Sequence, residues 1–307
     1  MAYTKALIIT PFYAPNVGGV ETFCKELYTE LSRVFDAKVI TINWKKQKIW
    51  KGLPFWESVT ILPVLFFKAY GNRADIIYAQ GFNGAVVGML LKWLWGCKLT
   101  ITTHAIYNFN GLLGKVARFI LNQADEVFTE GKLCEDNLRK IGVNSIIQQY
   151  MHWVDQERFK PIKKNNTHLI VMFAGRPIPE KGIEIIRQVE KLTPEVEYVY
   201  ATNIPSQEMP FYYQTADILV VPSLYDESFA RVVLEGASCG CVVIASNRGS
   251  LPELVSPFGI VTEPSVGNFY KEICQLNSDR KKLADMRENA IRYAKEHFSS
   301  KNAEVFF

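Results

Sequence analysis

The sequence predicts an α/β protein made of two parallel-sheet units of similar design. Three observations predict it. Apolar runs of strand length alternate with segments of helical periodicity, the pattern of parallel strands covered by helices on both faces. The alternation breaks at a polar, Lys/Asn-rich stretch, FKPIKKNNTH at 159–168, and then restarts. The length of 307 residues fits two domains of ordinary size, and an apolar content of 48% supplies two cores.

KALIITPFY, 5–13, reads as the first strand. A helix over 20–33 follows, with Val20, Phe23, Cys24, Leu27 and Leu31 recurring on one face. KVITIN, DIIYAQ, KLTITTH and DEVFTE, starting at 38, 75, 98 and 125, read as further strands bounded by turn residues or helices. After the polar stretch come HLIVMFAG at 168–175, EYVYAT at 197–202, DILVVPS at 217–223, CVVIAS at 241–246 and GIVTE at 259–263. The expected division is a first unit over 1–160, a second over 161–290, and a C-terminal helical segment over 291–307 that packs back on the first. Ligands of such sheets sit at the C-terminal ends of the strands, and two units joined this way predict a central cleft.

Several function classes drop out. The six cysteines, at 24, 97, 134, 239, 241 and 274, form no CxxC pair, and only four histidines are present. A zinc site is therefore not expected, and the thiols read as reduced and buried. The first apolar run, ALIIT at 6–10, has strand length, so no signal peptide is read. The longest apolar stretch, 84–96, is too short to span a bilayer and contains Lys92. Residues 1–155 carry 17 Lys/Arg against 12 Asp/Glu, and 156–307 carry 18 against 19, so the positive surplus lies in the first half. Part of it lies in WKKQKIWKGLPFW, 44–56, where Lys45, Lys46, Lys48 and Lys51 alternate with aromatics. That mixture suits an anionic membrane surface or a plain lysine-decorated loop. A pI near 8.6 is modest, so nucleic acid is not an expected partner.

The most informative segment is DESFARVVLEGASCGCVVIAS, 226–246. Glu227 lies in the loop after an apolar strand, and Glu235 about a turn inside the following helix. A carboxylate can accept two hydrogen bonds from neighbouring hydroxyls such as those of a ribose. Another at a helix entrance can grip sugar hydroxyls, and the helix N-terminus suits a phosphate. In FAGRPIPEKG, 173–182, Arg176 and Lys181 flank the turn from a strand into a helix. Helix N-termini favour acids, so two cations there ask for an anionic partner such as a diphosphate. Sugar, diphosphate and ribose together make a nucleotide sugar. Gly18 and Gly19 stand directly before the first helix, where backbone N–H groups can approach an anion; they form no GxGxxG fingerprint. His104 ends the strand KLTITTH, where it can bond a sugar hydroxyl or serve structure alone.

With GGVE at 18–21, TTHA at 102–105, VDQERFKP at 154–161, YYQTADILVVPS at 212–223 and RGSLPELV at 248–255, the chain resembles the retaining glycosyltransferases of family four along nearly its whole length. The resemblance implies the GT-B fold, two Rossmann-like domains with parallel sheets facing a central cleft. It implies that Arg176 and Lys181 bind the donor diphosphate and neutralise the leaving group. It assigns Glu227 to the transferred sugar's hydroxyls and Glu235 to the ribose. The backbone around Phe229 and Ala230 would help hold sugar or phosphate. Gly18 and Gly19 would face donor phosphate and acceptor, and His104 would serve catalysis. Ala230 stands where the family usually has Gly, Ser250 replaces the second Gly before PE, and His152-Trp153 replaces Asn-Gly. EYVYAT runs almost directly into the next motif, so a helix and strand common in the family are expected to be missing.

The expected function is metal-independent, retaining transfer of a hexose-type sugar from a nucleoside diphosphate sugar to an acceptor hydroxyl. No D-x-D motif is present, and no cofactor is needed beside the donor. A same-fold nucleotide-sugar epimerase and a non-catalytic nucleotide-sugar-binding protein are the rivals. The resemblance also implies a glycan or lipid-linked acceptor, and with it a cytoplasmic site at the inner face of the membrane, contacted through 44–56.

Overall fold

The computed structural model describes residues 4–13, 18–42, 55–107, 111–164 and 166–307, the side chains of 55–59 excepted. The chain divides into two compact units, Met1–Tyr150 with Ala303–Phe307, and Met151–Asn302. The division falls before the polar stretch at 159–168. Val154 and Phe159 are the reason: both are buried in the core of the second unit and commit the chain to it.

The first unit runs β1 (Lys5–Thr10), α1 (Gly19–Leu31), β2 (Asp36–Thr41), α2 (Phe55–Tyr70), β3 (Ile76–Gln80), α3 (Gly81–Trp95), β4 (Lys98–Thr102), α4 (Gly111–Leu121), β5 (Glu126–Thr129), α5 (Lys132–Ile141) and β6 (Ile146–Gln149). The sheet order is β2-β1-β3-β4-β5-β6, all parallel. Sequence reading finds the first five strands and misses β6. Its four residues, IIQQ, include two glutamines and none is fully buried, so this edge strand has no apolar run to announce it. Of the stretch 44–56, residues 44–54 lie outside the described residues; Phe55 and Trp56 begin α2.

Strand geometry sends alternate residues to opposite faces. Leu7 and Ile9, Ile77 and Ala79, and Leu99 and Ile101 share one core with Ile61 and Leu65 of α2, Val87 and Leu91 of α3, and Ile120 and Leu121 of α4. These three helices therefore cover one face. Tyr78 points to the other. There its buried hydroxyl donates to the Phe306 carbonyl at 2.6 Å, and the Phe306 ring packs on Phe128, Tyr150 and Phe23 at 4.4, 5.2 and 5.9 Å between centroids.

The second unit runs β7 (Ile170–Ala174), a 3-10 turn (Pro179–Lys181), α6 (Ile183–Leu192), β8 (Glu197–Ala201), α7 (Met209–Thr215), β9 (Ile218–Val221), α8 (Arg231–Ser238), β10 (Val242–Ser246), α9 (Leu251–Val255), β11 (Ile260–Thr262), α10 (Val266–Ser278) and α11 (Arg280–His297). The order is β11-β10-β9-β7-β8, again all parallel. Central strands β9 and β10 are buried throughout, as their unbroken apolar sequences require. Leu219, Val221, Val243 and Ala245 enter one core, and Ile218, Val220, Val242 and Ile244 the other. β8 is the edge, and only a short stretch separates it from α7. Helices α10 and α11 are capped by Ser265 and Asp279, whose side chains accept from Asn268 and Lys282 N–H groups.

Residues 291–307 do not act as one segment. Ala294 and Phe298 lie in the core of the second unit, and only Ala303–Phe307 belong to the first. Phe306→Ala should remove a buried ring from three aromatic contacts and cost roughly 3–5 kcal/mol of first-unit stability. Urea denaturation checks this; a loss below about 1 kcal/mol would show the site collapses freely around the gap.

Candidate functional site

Glu227 is only 3% exposed, and its carboxylate is held from three directions. Lys181 Nζ reaches Oε1 at 2.6 Å, the Ser223 hydroxyl donates to Oε1, and the Tyr225 hydroxyl donates to Oε2 at 2.6 Å. Burying a carboxylate costs several kcal/mol unless its lone pairs are met, and these donors meet them. Three charged groups bear on Tyr225, Glu227, Arg176 and Glu180. Burial and then Glu227 push its hydroxyl's pKa up, while the Arg176 cation opposes them. Lys181 also lies 5.2 Å from the Tyr225 ring centroid, within cation–π range. Arg176, Lys181 and Glu227 thus gather beyond the C-terminal ends of β7 and β9, where ligands of parallel sheets bind.

Backbone packing fixes this cluster. Pro222 follows β9, and Leu224 N–H donates to the Glu180 carbonyl at 2.8 Å, docking the Arg176–Lys181 turn on the β9 loop. The approach is close enough to demand glycine at 182: φ is +69°, and a Cβ there would sit 1.9 Å from the Pro222 carbonyl oxygen. On the other side Gly249, at φ +59°, leaves room for the Glu227 backbone, whose oxygen and nitrogen would lie 2.2 and 2.4 Å from a Cβ. Asp226 accepts from Gly249 N–H, Ser250 N–H donates to the Glu227 carbonyl, and the Ser250 hydroxyl donates to Ser228 O at 2.7 Å. Ser250 is in right-handed helical conformation, so no glycine is needed, and its hydroxyl clamps the loop instead. Ala230 is extended at φ −119°, which any residue adopts.

Phe229 and Ala230 lead into α8, whose N-cap position, Ala230, offers no side-chain cap, an arrangement suited to an anion. One turn on, Glu235 accepts from the Tyr213 hydroxyl at 2.9 Å and faces Arg231 Nε at 4.0 Å. Its side chain is 14% exposed. Burial pushes the Glu235 carboxyl above its ordinary range, outweighing the pull of Arg231, Tyr213 and Arg158. Arg231 is itself buried, with Nη1 3.3 Å from His152 Nδ1 and Nη2 3.5 Å from the Trp153 carbonyl. A guanidinium only donates, so Nδ1 is the acceptor and the ring proton sits on Nε2. The His152 ring lies against Phe229, 4.3 Å between centroids.

Gly18, Gly19 and His104 belong to the first unit. Gly18 is extended and caps α1 with its carbonyl, which accepts from the Thr22 N–H and hydroxyl; Gly19 is the first helical residue. His104 is nearly buried, with Nδ1 3.3 Å from Glu130 Oε1 and Nε2 3.0 Å from Gln80 Oε1. Its edge meets the Phe23 ring at 5.1 Å. Both ring nitrogens are thus engaged within the unit.

Tyr213, Ser223, Tyr225 and Arg231 are site residues that sequence reading does not single out. Arg231 carries a usable signal, since it stands four residues before Glu235 on a helix. Tyr213 donates its hydroxyl to a residue 22 positions away, and Ser223 and Tyr225 donate within the Glu227 loop, where a loop serine and tyrosine leave no distinctive mark.

Residues 156–293 match the family model of glycosyl transferases group 1. The chain is 24% identical over 318 residues to the phosphatidylinositol N-acetylglucosaminyltransferase GPI3 subunit of Saccharomyces cerevisiae, covering 83% of this chain and 70% of that one. Among solved structures, sucrose-phosphate synthase from Thermosynechococcus elongatus superposes with a TM-score of 0.78 at 20% identity, over 98% and 96% of the two chains. Anabaena HepE in complex with UDP and glucose superposes with a TM-score of 0.74 at 17% identity, over 99% and 98%. Two parallel Rossmann-like sheets and these likenesses establish the GT-B fold. The stretch that matches the family model lies within the second unit.

The raised carboxyl of Glu235 has a consequence for stability. A folded-state pKa above the unfolded one stabilises below the unfolded value, and that stabilisation is lost as pH rises through the folded value. Glu235→Gln keeps an oxygen for Tyr213 and removes the buried charge. The variant's melting temperature, measured from about pH 4 to pH 8, should gain on the parent as pH rises. A gap that narrows or turns against the variant would contradict the burial argument.

Proposed function

We propose that the protein is a retaining, metal-independent hexosyltransferase that uses a nucleoside diphosphate sugar and delivers the sugar to an acceptor hydroxyl. The observation that carries this reading is the buried Glu227 paired with Lys181 at the strand ends of the unit that matches the group 1 family model, with the Arg176 charge acting on Tyr225, another partner of Glu227. The donor diphosphate would draw Lys181 and Arg176, whose charge offsets that growing on the leaving phosphate. Glu227 would turn to the sugar hydroxyls, and the uncapped start of α8 with Phe229 and Ala230 would receive phosphate or sugar. Glu235, steadied by Tyr213, would accept from the ribose hydroxyls.

In the front-face route the leaving phosphate takes the acceptor's proton and the sugar keeps its anomeric configuration, so no protein nucleophile is required. Arg176 and Lys181 fill the part a metal ion plays elsewhere. His104 and the Gly18–Gly19 helix start would serve the acceptor side. A sugar hydroxyl reaching His104 has to replace Gln80 or Glu130. The GPI3 relative's name supports an acetamido-hexose donor and a lipid-linked hydroxyl as the first pair to assay.

Arg176→Ala and Lys181→Ala should each lower kcat/KM by about 30- to 1000-fold, the equivalent of about 2–4 kcal/mol. Lys181→Ala should also lower the melting temperature, because it strips a donor from buried Glu227. Product NMR should show the donor's anomeric configuration preserved, and EDTA should leave the rate unchanged. Inverted product or a strict metal requirement would reject the mechanism, and unchanged kinetics in both variants would reject the diphosphate assignment.

A further inference from the structure

The layer formed by α2, α3 and α4 has an outer face unlike that of an ordinary surface helix. A helix lying on a sheet buries one stripe and turns polar residues outward. Here the buried stripe is present, with Leu65, Leu91 and Ile120 facing the sheet core, yet the outward positions are apolar as well. Phe67 is 73% exposed on α2, Trp93 and Leu94 are 56% and 60% exposed on α3, and Leu112 and Phe119 are 76% and 53% exposed on α4. The faces of α3 and α4 are continuous, since the Trp93 and Phe119 rings meet at 6.2 Å. Exposed patches of this kind mark interaction surfaces.

The charge of the layer selects the occupant. Neither α3 nor α4 contains an Asp or Glu, and residues 60–70 of α2 contain none. Lys68, Lys115 and Arg118 are exposed among the apolar residues. Lys92 is paired with Asp125. Apolar side chains with basic residues between them, and no acids on α3, α4 or residues 60–70 of α2, complement an anionic bilayer: the rings and leucines enter the headgroup boundary while the long cationic stems keep their charges at the phosphates. Trp93 fits such a boundary, with its indole N–H donating to Gln123 at 3.3 Å and its ring outward. No helix among the described residues is long and apolar enough to cross a membrane.

We propose that the outer face of α2, α3 and α4 is a docking surface for an anionic phospholipid bilayer, with Trp93, Leu112, Leu113 and Phe119 as its anchors. Its anchors lie outside the lysine-rich stretch at 44–56, and it is independent of the transferase reading, because it needs neither donor nor acceptor.

The test is co-sedimentation of the full chain with vesicles of phosphatidylcholine, with and without phosphatidylglycerol. The protein should partition onto the vesicles containing phosphatidylglycerol. The variant L112S/L113S/F119S should lower the partition coefficient about tenfold or more, with its melting temperature unchanged because all three side chains are exposed. The variant K115Q/R118Q should weaken binding to the anionic vesicles and leave any residual binding to phosphatidylcholine untouched. Tryptophan fluorescence quenched by brominated lipid in the parent should be partly spared in Trp93→Phe. The proposal is overturned if the parent does not bind, or if the serine variant binds as the parent does. It is also overturned if the patch instead holds two copies together, seen as a parent dimer that the serine variant dissociates without any change in vesicle binding.

Discussion

The burial of one carboxylate organises the second unit. Glu227 is almost wholly removed from water, so its oxygens must be satisfied by the protein, and the donors that satisfy it come from separate places in the chain. Lys181 arrives from the turn after β7, and Ser223 and Tyr225 from the loop after β9. Gly249 and Ser250, after β10, brace the backbone that carries it. Three neighbouring strand ends are therefore tied to a single residue, two through its side chain and one through its backbone. The same contacts give the cluster its chemistry, since a cation held beside a carboxylate is ready to exchange it for an anionic ligand of better geometry.

Glu235 follows the opposite logic. Its partners are a tyrosine hydroxyl and an arginine at 4.0 Å, and burial outweighs both. A carboxylate in that condition has hydrogen-bonding capacity left over, and a pair of ligand hydroxyls would supply what the protein does not. On the proposed reading, stability is given up at a position where binding would gain. The Arg231–His152 contact beneath it extends the polar network toward Phe229.

Much of the fold was legible because parallel strands in a doubly covered sheet must be apolar on both faces, so β1, β3, β4, β7, β9 and β10 mark themselves. β6 did not, since an edge strand of two isoleucines and two glutamines has no such obligation. The unit boundary was misread for a related reason. A Lys/Asn-rich stretch looks like a linker, but the two residues that fix the boundary, Val154 and Phe159, declare themselves only by packing. In the site, Arg176, Lys181, Glu227 and Glu235 stood out because charge beside apolar strands and helix starts requires a reason. Ser223 and Tyr225 are ordinary loop residues in the sequence, and only the loop's conformation turns their hydroxyls onto Glu227. Ser250 shows the limit of reading glycine patterns: what matters there is a hydroxyl that bonds the loop, not a missing Cβ.

The account stands on the coupling between Lys181 and Glu227, and a double-mutant cycle on Lys181→Met and Glu227→Gln in the unliganded protein measures it directly. A pair with side chains 21% and 4% exposed should show an interaction free energy of about 1–3 kcal/mol by denaturation, each single variant costing more than its share of the double. Additivity within about 0.5 kcal/mol would mean that the two side chains meet without depending on each other, and the preorganised anion site would lose its basis.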